Sequence, residues 1–173
     1  GDVSRVDMTF SVTKSYLSTV AGLAYQKGLL SLDEKLKDYI KDGKFSSEHN
    51  KKITWHHLLN QSSQWKGNLF GTFDWADRPP RNLSIEELKA QEIPGPGEAY
   101  KYNDVRVNLL SFSLLNVFQE SLPDVLKKEI MDPIGASTSW NWYGYEKSKI
   151  LLNGAIISSV SGGGHFGGGM FIN

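Results

Sequence analysis

The chain is organised around residues 10–27, which read FSVTKSYLSTVAGLAYQK. The apolar residues at positions 17, 20, 21, 24 and 25 recur at the spacing of one face of an amphipathic helix. Gly28 follows directly, and a glycine at this place is typical of a helix C-terminal cap. The pattern predicts a helix that begins near Ser11 and ends at Gly28.

Ser11 and Lys14 stand three residues apart at the start of this helix. At that spacing, two Cβ atoms lie about 5–6 Å apart on one face. A hydroxyl beside an amine can act as a nucleophile, and the positive end of the helix dipole favours an oxyanion. Ser63 and Lys66 repeat the spacing, but in an irregular stretch where no helix fixes their geometry. Ser11 is therefore the candidate nucleophile, and an ordinary helix-start serine is the alternative.

Composition restricts the classes of function. The length of 173 residues suits one domain, and 19 basic residues balance 19 acidic ones. This balance gives no indication of nucleic acid or an anionic membrane as partner. The absence of cysteine excludes disulfides and thiol catalysis. No apolar run approaches the roughly 18 residues that a membrane span needs, and no signal-peptide pattern opens the chain, so the compartment stays open.

Periodicity and turn signals predict further elements. Helices are predicted over residues 30–40, 55–60, 84–91, 105–119 and 122–130. Asn153-Gly154, between residues 149–152 and 155–160, is a strong short-range signal for a β-hairpin. Residues 61–81 are irregular, and a loop of that length is uncommon unless it is functional.

The expected fold is therefore mainly α with a small β-hairpin. We interpret residues 1–173 as a single domain, with a helical region at about 11–135. The hairpin and a glycine-rich loop occupy residues 147–173.

Tyr102 is a second candidate for chemistry. It lies six residues after Pro96, where Pro96-Gly97 interrupts regular secondary structure, and it opens the sequence Tyr102-Asn103-Asp104. A tyrosine on such a loop can present its phenol to a site on another element. The alternative is a half-buried aromatic residue whose hydroxyl contacts water.

Taken together, these elements resemble a known superfamily. A helix-opening Ser11-x-x-Lys14, followed some 90 residues later by Pro-Gly and then Tyr102-x-Asp104, is similar to the serine β-lactamases and penicillin-binding proteins. The similarity is strongest to the branch with class C β-lactamases, related esterases and amide-oligomer hydrolases. Three further segments support it, namely residues 26–33, 53–59 and 132–135. The resemblance therefore runs from about residue 7 to the end of the chain.

The resemblance implies a role for each matching residue. Ser11 would be the acylated nucleophile, and Lys14 and Tyr102 would move its proton. Tyr102 would also protonate the leaving group and later activate water. A free phenol or ammonium carries its proton at neutral pH, so either can act as a base only if its neighbours stabilise the deprotonated form. No metal or cofactor is implied.

The resemblance also implies an α/β fold of which this chain holds the helical part. Gly1 is not an initiator residue, and the family's first strands are missing ahead of it. The chain ends at Asn173, before the family's third motif, Lys/His-Thr/Ser-Gly on a sheet-edge strand, is expected. We therefore expect truncation at both ends, with most of the central antiparallel sheet missing. The family is periplasmic or extracellular, but this sequence does not fix the localisation.

Asp104 stands where the family usually has asparagine. If it is ionised near Lys14, it would keep the lysine protonated and favour a phenolate-like Tyr102. Arg106 is the residue that we expect to neutralise Asp104 instead. Asp104 is also a candidate for contact with substrate.

The glycine-rich run at residues 162–169 contains a G-x-G-x-x-G match, but no helix is predicted after it. A dinucleotide site is therefore not predicted. In the family this region lies near the substrate cleft, so His165 is a candidate substrate contact, with a structural or exposed histidine as the alternative. His56 and His57 have no carboxylate at metal-ligand spacing, which argues against zinc.

The first hypothesis is a serine hydrolase that acts by acyl transfer on a small-molecule ester, amide or β-lactam. The second is a penicillin-recognising protein used for recognition or sensing, with impaired catalysis, because of Asp104 and the absent third motif. The third is a plain helical interaction domain. We also expect little activity from this chain alone, and self-association through an apolar face exposed where the sheet belongs.

Overall fold

The computed structural model describes residues 4–163 and 168–173. A 3₁₀ turn at Phe10–Val12 precedes the first helix. The helices are α1 (Thr13–Gln26), α2 (Leu36–Tyr39), α3 (Trp55–Leu59), α4 (Ile85–Ala90), α5 (Asp104–Phe118) and α6 (Leu122–Leu126). A π-helical turn, Lys127–Met131, follows α6. The strands are β1 (Asp7–Met8), β2 (Asn68–Leu69), β3 (Thr72–Phe73), β4 (Asn141–Leu152), β5 (Ala155–Val160) and β6 (Gly169–Ile172).

Helix α1 forms where the apolar periodicity predicts it. Its inward face packs against α5 and is fully buried at Leu17, Val20 and Ala24. The helix ends at Gln26, and Gly28, just beyond its C-cap, has a φ of +68°. The amide of Gly28 donates to the carbonyl of Tyr25, and the next amide reaches back to Ala24, which together make a Schellman motif. The glycine cap predicted from the sequence is confirmed.

Helix α5 is the central element of the core. It is buried along most of its length, and Leu109, Leu114 and Leu115 are almost completely excluded from solvent. It contacts α1, α3 and β5, so it is apolar on several faces rather than on one stripe. Asn103 caps its N-terminus by accepting a hydrogen bond from the amide of Arg106.

The main sheet is antiparallel and has four strands in the order β1-β6-β4-β5. Strands β4 and β5 form the predicted hairpin, in which Ile150 pairs with Ile157. The turn residues Asn153 and Gly154 have φ values of +49° and +81°, as a type I′ turn requires. The hairpin expected from Asn153-Gly154 is confirmed.

A mainly α chain with one small hairpin is not confirmed, because the described residues form an α/β fold. Strand β4 begins at Asn141 rather than near Lys149, and Trp142 on it pairs with Met170 of β6. Strand β1 then extends the sheet beyond β6. Two-residue strands and a short apolar run after glycines carry too little periodicity to be predicted as strands.

Helix α2 is shorter than predicted. The expectation was a helix over residues 30–40, whereas α2 spans only Leu36–Tyr39. The amide of Leu36 donates to the carbonyl of Ile53 at 2.9 Å, and Lys35 forms a β-bridge with Thr54. These long-range bonds use the backbone groups that a longer helix would need for itself.

The long loop at residues 61–81 is fixed by a buried charge. The side chain of Arg106 is 2% exposed and lies 3.4 Å from Asp74 Oδ2. Its other donors bind the carbonyl of Trp65 and the side chain of Gln64, both at 3.1 Å. Burial lowers the pKa of Arg106, and the Asp74 carboxylate opposes that effect.

Asp74 joins this loop to the residues before α5. Its Oδ1 accepts from the amide of Gly67 at 2.9 Å, and its carbonyl accepts from Asn103 Nδ2 at 2.7 Å. Because Asn103 is the neighbour of Tyr102, the buried network also fixes the position of that tyrosine.

No helix in the described part of the chain is long and apolar enough to cross a membrane.

The Asp74→Ala variant tests this network. Removing one partner of a buried ion pair leaves the other charge unpaired, so we expect a loss of about 3–5 kcal/mol in the free energy of unfolding. The matched control is Asp132→Ala, which removes an exposed ion pair with Lys127 and is expected to cost less than about 1 kcal/mol. Urea unfolding followed by circular dichroism measures both, and equal losses would contradict the structural role of Asp74.

Candidate active site

Ser11, Lys14 and Tyr102 meet at the N-terminal end of α1. Ser11 is exposed in the 3₁₀ turn, and its Oγ shares a hydrogen bond of 2.7 Å with the phenol oxygen of Tyr102, 91 residues away. Lys14 Nζ donates to the same Oγ at 3.4 Å. The hydroxyl of Ser11 therefore contacts both groups that the sequence analysis assigns to proton transfer.

Backbone hydrogen bonds on both sides hold Tyr102 in place. Gln61 accepts from the amide of Lys101 through its carbonyl and from the amide of Asn103 through its side chain, both at 3.0 Å. Asn103 itself is fully buried. The tyrosine is thus fixed by its two neighbours, while its phenol reaches towards α1.

Lys14 is surrounded by acceptors. Its Nζ lies 2.7 Å from Asp104 Oδ1 and donates to the carbonyl of Gly163 at 3.1 Å. It also lies 4.7 Å from the centre of the Tyr102 ring. The ion pair that the sequence analysis considers between Lys14 and Asp104 is present in the structure.

Arg78, and not Arg106, is the cation that shares Asp104 with Lys14. Arg78 NH2 donates to Asp104 Oδ2 at 2.7 Å, and NH1 binds Asp77 at 2.8 Å. The hydrogen bond that Arg78 donates to Asp104 raises the pKa of Arg78. The expectation that Arg106 neutralises Asp104 is wrong, because Arg106 points into the buried network with Asp74.

Arg78 was missed because it lies in the irregular loop, where no periodicity relates it to a partner. Its guanidinium carbon also lies 4.8 Å from the centre of the Tyr102 ring. The sequence pointed to Arg78 only indirectly, because it lies in the long irregular loop at residues 61–81, and loops of that length are often functional.

The glycine-rich segment approaches the site closely. A Cβ on Gly163 would lie 2.8 Å from Asp104, and one on Gly162 would lie 2.5 Å from Leu17. Both are closer than real contacts allow, so these positions need glycine for the segment to reach Lys14. Asn108 Oδ1, which the sequence did not indicate, accepts from the amide of Gly162 at 3.0 Å.

Two further candidates from the sequence are His165 and the second Ser-Lys pair, Ser63 and Lys66. His165 lies outside the described residues, so its role as a substrate contact stays a prediction. Ser63 is fully buried, whereas Lys66 is exposed, so this second Ser-Lys pair differs in setting from the first. Within the part of the chain that the structure describes, no group of histidine, aspartate and glutamate residues is arranged to hold a metal ion.

A cavity of about 360 Å³ lies beside the site. Its wall is mostly apolar, and Asp77 and Asp104 are among the residues that line it. The remaining wall includes Leu69, Phe70, Val105 and Tyr145. This size and lining suit a small organic group.

The arrangement can transfer a proton from a hydroxyl to a phenolate oxygen. The Lys14 ammonium and the Arg78 guanidinium lie 4.7 and 4.8 Å from the centre of the Tyr102 ring, which brings two positive charges close to it. The carboxylates of Asp104 and Asp77 balance these two cations. These four groups near Ser11, two cations and two carboxylates, therefore carry no net charge together.

Comparison with solved structures shows the same fold. The octameric penicillin-binding protein homologue from Pyrococcus abyssi is 21% identical, with a TM-score of 0.60 over 97% of this chain and 42% of its own. The β-lactamase/D-alanine carboxypeptidase from Yersinia pestis is 16% identical (TM-score 0.65; 99% and 51%). The D-amino acid amidase from Ochrobactrum anthropi SV3 is 17% identical (TM-score 0.65; 100% and 53%).

The chain thus spans about half the length of these three proteins. No curated protein sequence matches it closely enough to count as a relative. The Beta-lactamase family profile, however, matches residues 7–149, which include Ser11, Lys14 and Tyr102 and cover most of the chain. The chain belongs to the β-lactamase family.

Proposed function

We propose that the protein containing this chain is a serine hydrolase that acts by acyl transfer on an ester, an amide or a β-lactam. The observation that carries the proposal is the contact of Ser11 Oγ with the phenol of Tyr102 at 2.7 Å and with Lys14 at 3.4 Å. Family membership supports the reading of these three residues as a catalytic group.

In the proposed acylation step, Ser11 Oγ attacks the carbonyl carbon of the substrate while Tyr102, as the phenolate, accepts its proton. The oxyanion that forms lies at the start of α1, where the helix dipole is favourable. Tyr102 then returns the proton to the departing nitrogen or oxygen, which leaves an acyl group on Ser11. For deacylation, Tyr102 takes a proton from the water that attacks this ester, and it gives that proton to Ser11 Oγ as the bond to the acyl group breaks and the acid is released.

Lys14 acts in this mechanism through its charge. Because Lys14 Nζ pairs with a carboxylate at 2.7 Å, we assign it to stabilise an anionic phenol rather than to take the proton of Ser11. Asp104 is 5% exposed and is engaged by Lys14 and Arg78, so its geometry supports a role in holding Lys14. Direct contact of Asp104 with substrate stays a prediction.

The chemistry of proteins with this fold guides the choice of acyl donor. They include a D-amino acid amidase and a β-lactamase/D-alanine carboxypeptidase. Amides and β-lactams are therefore the first substrates to test, with activated esters beside them. The cavity of about 360 Å³ next to Asp104 is large enough for the side group of such a substrate.

A recognition or sensor protein with impaired catalysis is the second candidate. The ion pair between Lys14 and Asp104 favours it, because a lysine held in its charged form does not serve as a general base. Such a protein would form an acyl adduct on Ser11 and release it slowly.

Covalent labelling tests the nucleophile. We expect a fluorophosphonate or a fluorescent penicillin to add one adduct to the full-length protein, and Ser11→Ala to abolish it, because no other hydroxyl contacts both Tyr102 and Lys14 in the described structure. Ser15→Ala, which changes an exposed serine on the same helix, is the matched control. Intact-mass spectrometry measures the adduct.

The outcomes separate the two candidates. Labelling of Ser11 together with turnover of nitrocefin or p-nitrophenyl esters by the protein before labelling supports the hydrolase. Labelling of Ser11 without turnover supports the recognition protein. An unlabelled protein, or an adduct that survives Ser11→Ala, contradicts both.

Kinetics of variants test the proton-transfer roles. We expect Tyr102→Phe to lower kcat/KM by about 100- to 10,000-fold, the range for loss of a general acid–base group. Lys14→Arg keeps the charge and should retain more activity than Lys14→Met, if the lysine acts electrostatically. Equal losses in the two Lys14 variants would instead assign it as a base. Lys66→Met, at an exposed lysine of the second Ser-Lys pair, is the control.

Low turnover by residues 1–173 alone and self-association both remain predictions. Leu151 and Ile156 pair across the hairpin and are 73% and 75% exposed, which offers an apolar surface to a second copy. We expect light scattering to show association that a Leu151→Ser/Ile156→Ser variant reduces. A monodisperse monomer that hydrolyses p-nitrophenyl esters at the rate of the full-length protein would contradict both.

A further inference from the structure

We propose that Arg78 is a positioning residue for proton transfer between Ser11 and Tyr102. This inference rests on the proposed function and concerns the same site. Arg78 binds Oδ2 of Asp104, the carboxylate oxygen that Lys14 does not bind. It also places a second cation against the ring of Tyr102. Asp104 is thereby kept in the orientation that holds Lys14 beside the nucleophile.

The contacts of Arg78 divide between two carboxylates. NH2 lies 2.7 Å from Asp104 Oδ2, while NH1 lies 2.8 Å from Asp77 Oδ2. Lys14 takes the other oxygen of Asp104, Oδ1, at 2.7 Å. Asp104 therefore lies between two cations and cannot turn away from Lys14 without losing Arg78.

The backbone around Arg78 is also held by the site. Asp77 Oδ2 accepts from the amide of Asp104 at 2.8 Å, which joins the loop to the first residue of α5. Arg78 itself has a φ of +51°, in the left-handed region that a non-glycine residue rarely adopts. Its side chain is engaged by both carboxylates in this conformation.

The charges around Tyr102 show what Arg78 contributes. Among the described residues, Lys14 from α1 and Arg78 from the loop lie against the Tyr102 ring. Asp104 from α5 pairs with both cations, and Asp77 from the loop pairs with Arg78. With Arg78 present, two cations balance two carboxylates. Without Arg78, one lysine faces two adjacent carboxylates, and the net negative charge opposes both the phenolate and the oxyanion on substrate.

The departure of Asp104 from the family's usual asparagine gives this inference a specific test. A neutral asparagine does not need a second cation, so the contribution of Arg78 should depend on the charge of Asp104. Residues in direct contact show such coupling, whereas distant ones give additive effects.

The experiment measures the rate of acylation of Ser11 in the full-length protein, as a function of pH, with a fluorescent penicillin or fluorophosphonate. We expect Arg78→Ala to slow acylation by about tenfold, within the range of coupling for contacting residues, and to move the low-pH limb of the profile to higher pH. Arg78→Lys should recover part of the loss. In an Asp104→Asn background, Arg78→Ala should change the rate by less than about threefold.

Two further variants control for folding. Arg78→Gly suits the positive φ and removes only the side chain, so it should behave as Arg78→Ala does if the charge matters. Arg81→Ala, at an exposed arginine in the same loop, should leave the rate and its pH profile unchanged.

Each outcome has a distinct meaning. If Ser11 is labelled and Arg78→Ala acylates at the normal rate, or loses the same factor in the Asp104→Asn background, the inference on Arg78 is wrong and the proposed function stands. If the unaltered protein is not labelled at Ser11, the proposed function fails and the inference fails with it.

Discussion

The ion pair between Lys14 and Asp104, at 2.7 Å, is the interaction on which the site depends. It connects the N-terminal ends of α1 and α5, which already pack together through their apolar faces. Burial of leucines and valines brings the two helices together, but it does not fix how their polar ends align. The ion pair supplies that alignment, because a carboxylate that is 5% exposed needs a cation close by.

A second buried charge has a similar effect on the loop before α5. Arg106 binds three groups of residues 64–74, and Asp74 in turn binds the residue next to Tyr102. The loop thus has two cations with different tasks: Arg106 holds it to the core, and Arg78 faces the site. A long segment without regular structure is kept in one conformation by charge and hydrogen bonding rather than by periodic packing.

The sequence predicted the parts of the structure that depend on local pattern. Helix α1, its glycine cap at Gly28 and the hairpin turn at Asn153-Gly154 follow from spacing and turn chemistry alone. The proximity of Ser11 and Tyr102 came from family resemblance, since no local rule relates residues 91 positions apart. Long-range contacts determine strands β1 and β6, the shortened α2 and the partner of Asp104. Arg106 is near Asp104 in sequence, but Arg78, 26 residues before Asp104, is the arginine that pairs with it.

The close approach of Gly162 and Gly163 has a consequence for how this chain can change. Side chains from α1 and α5 occupy the space into which a Cβ at either position would project. A larger residue at either position would therefore force these side chains to move. In the loop at residues 61–81, by contrast, several side chains reach solvent, although Gln64, Asp74 and Arg78 are held by the contacts described above. The exposed positions of that loop are thus freer to change than the two glycines on the other side of Asp104.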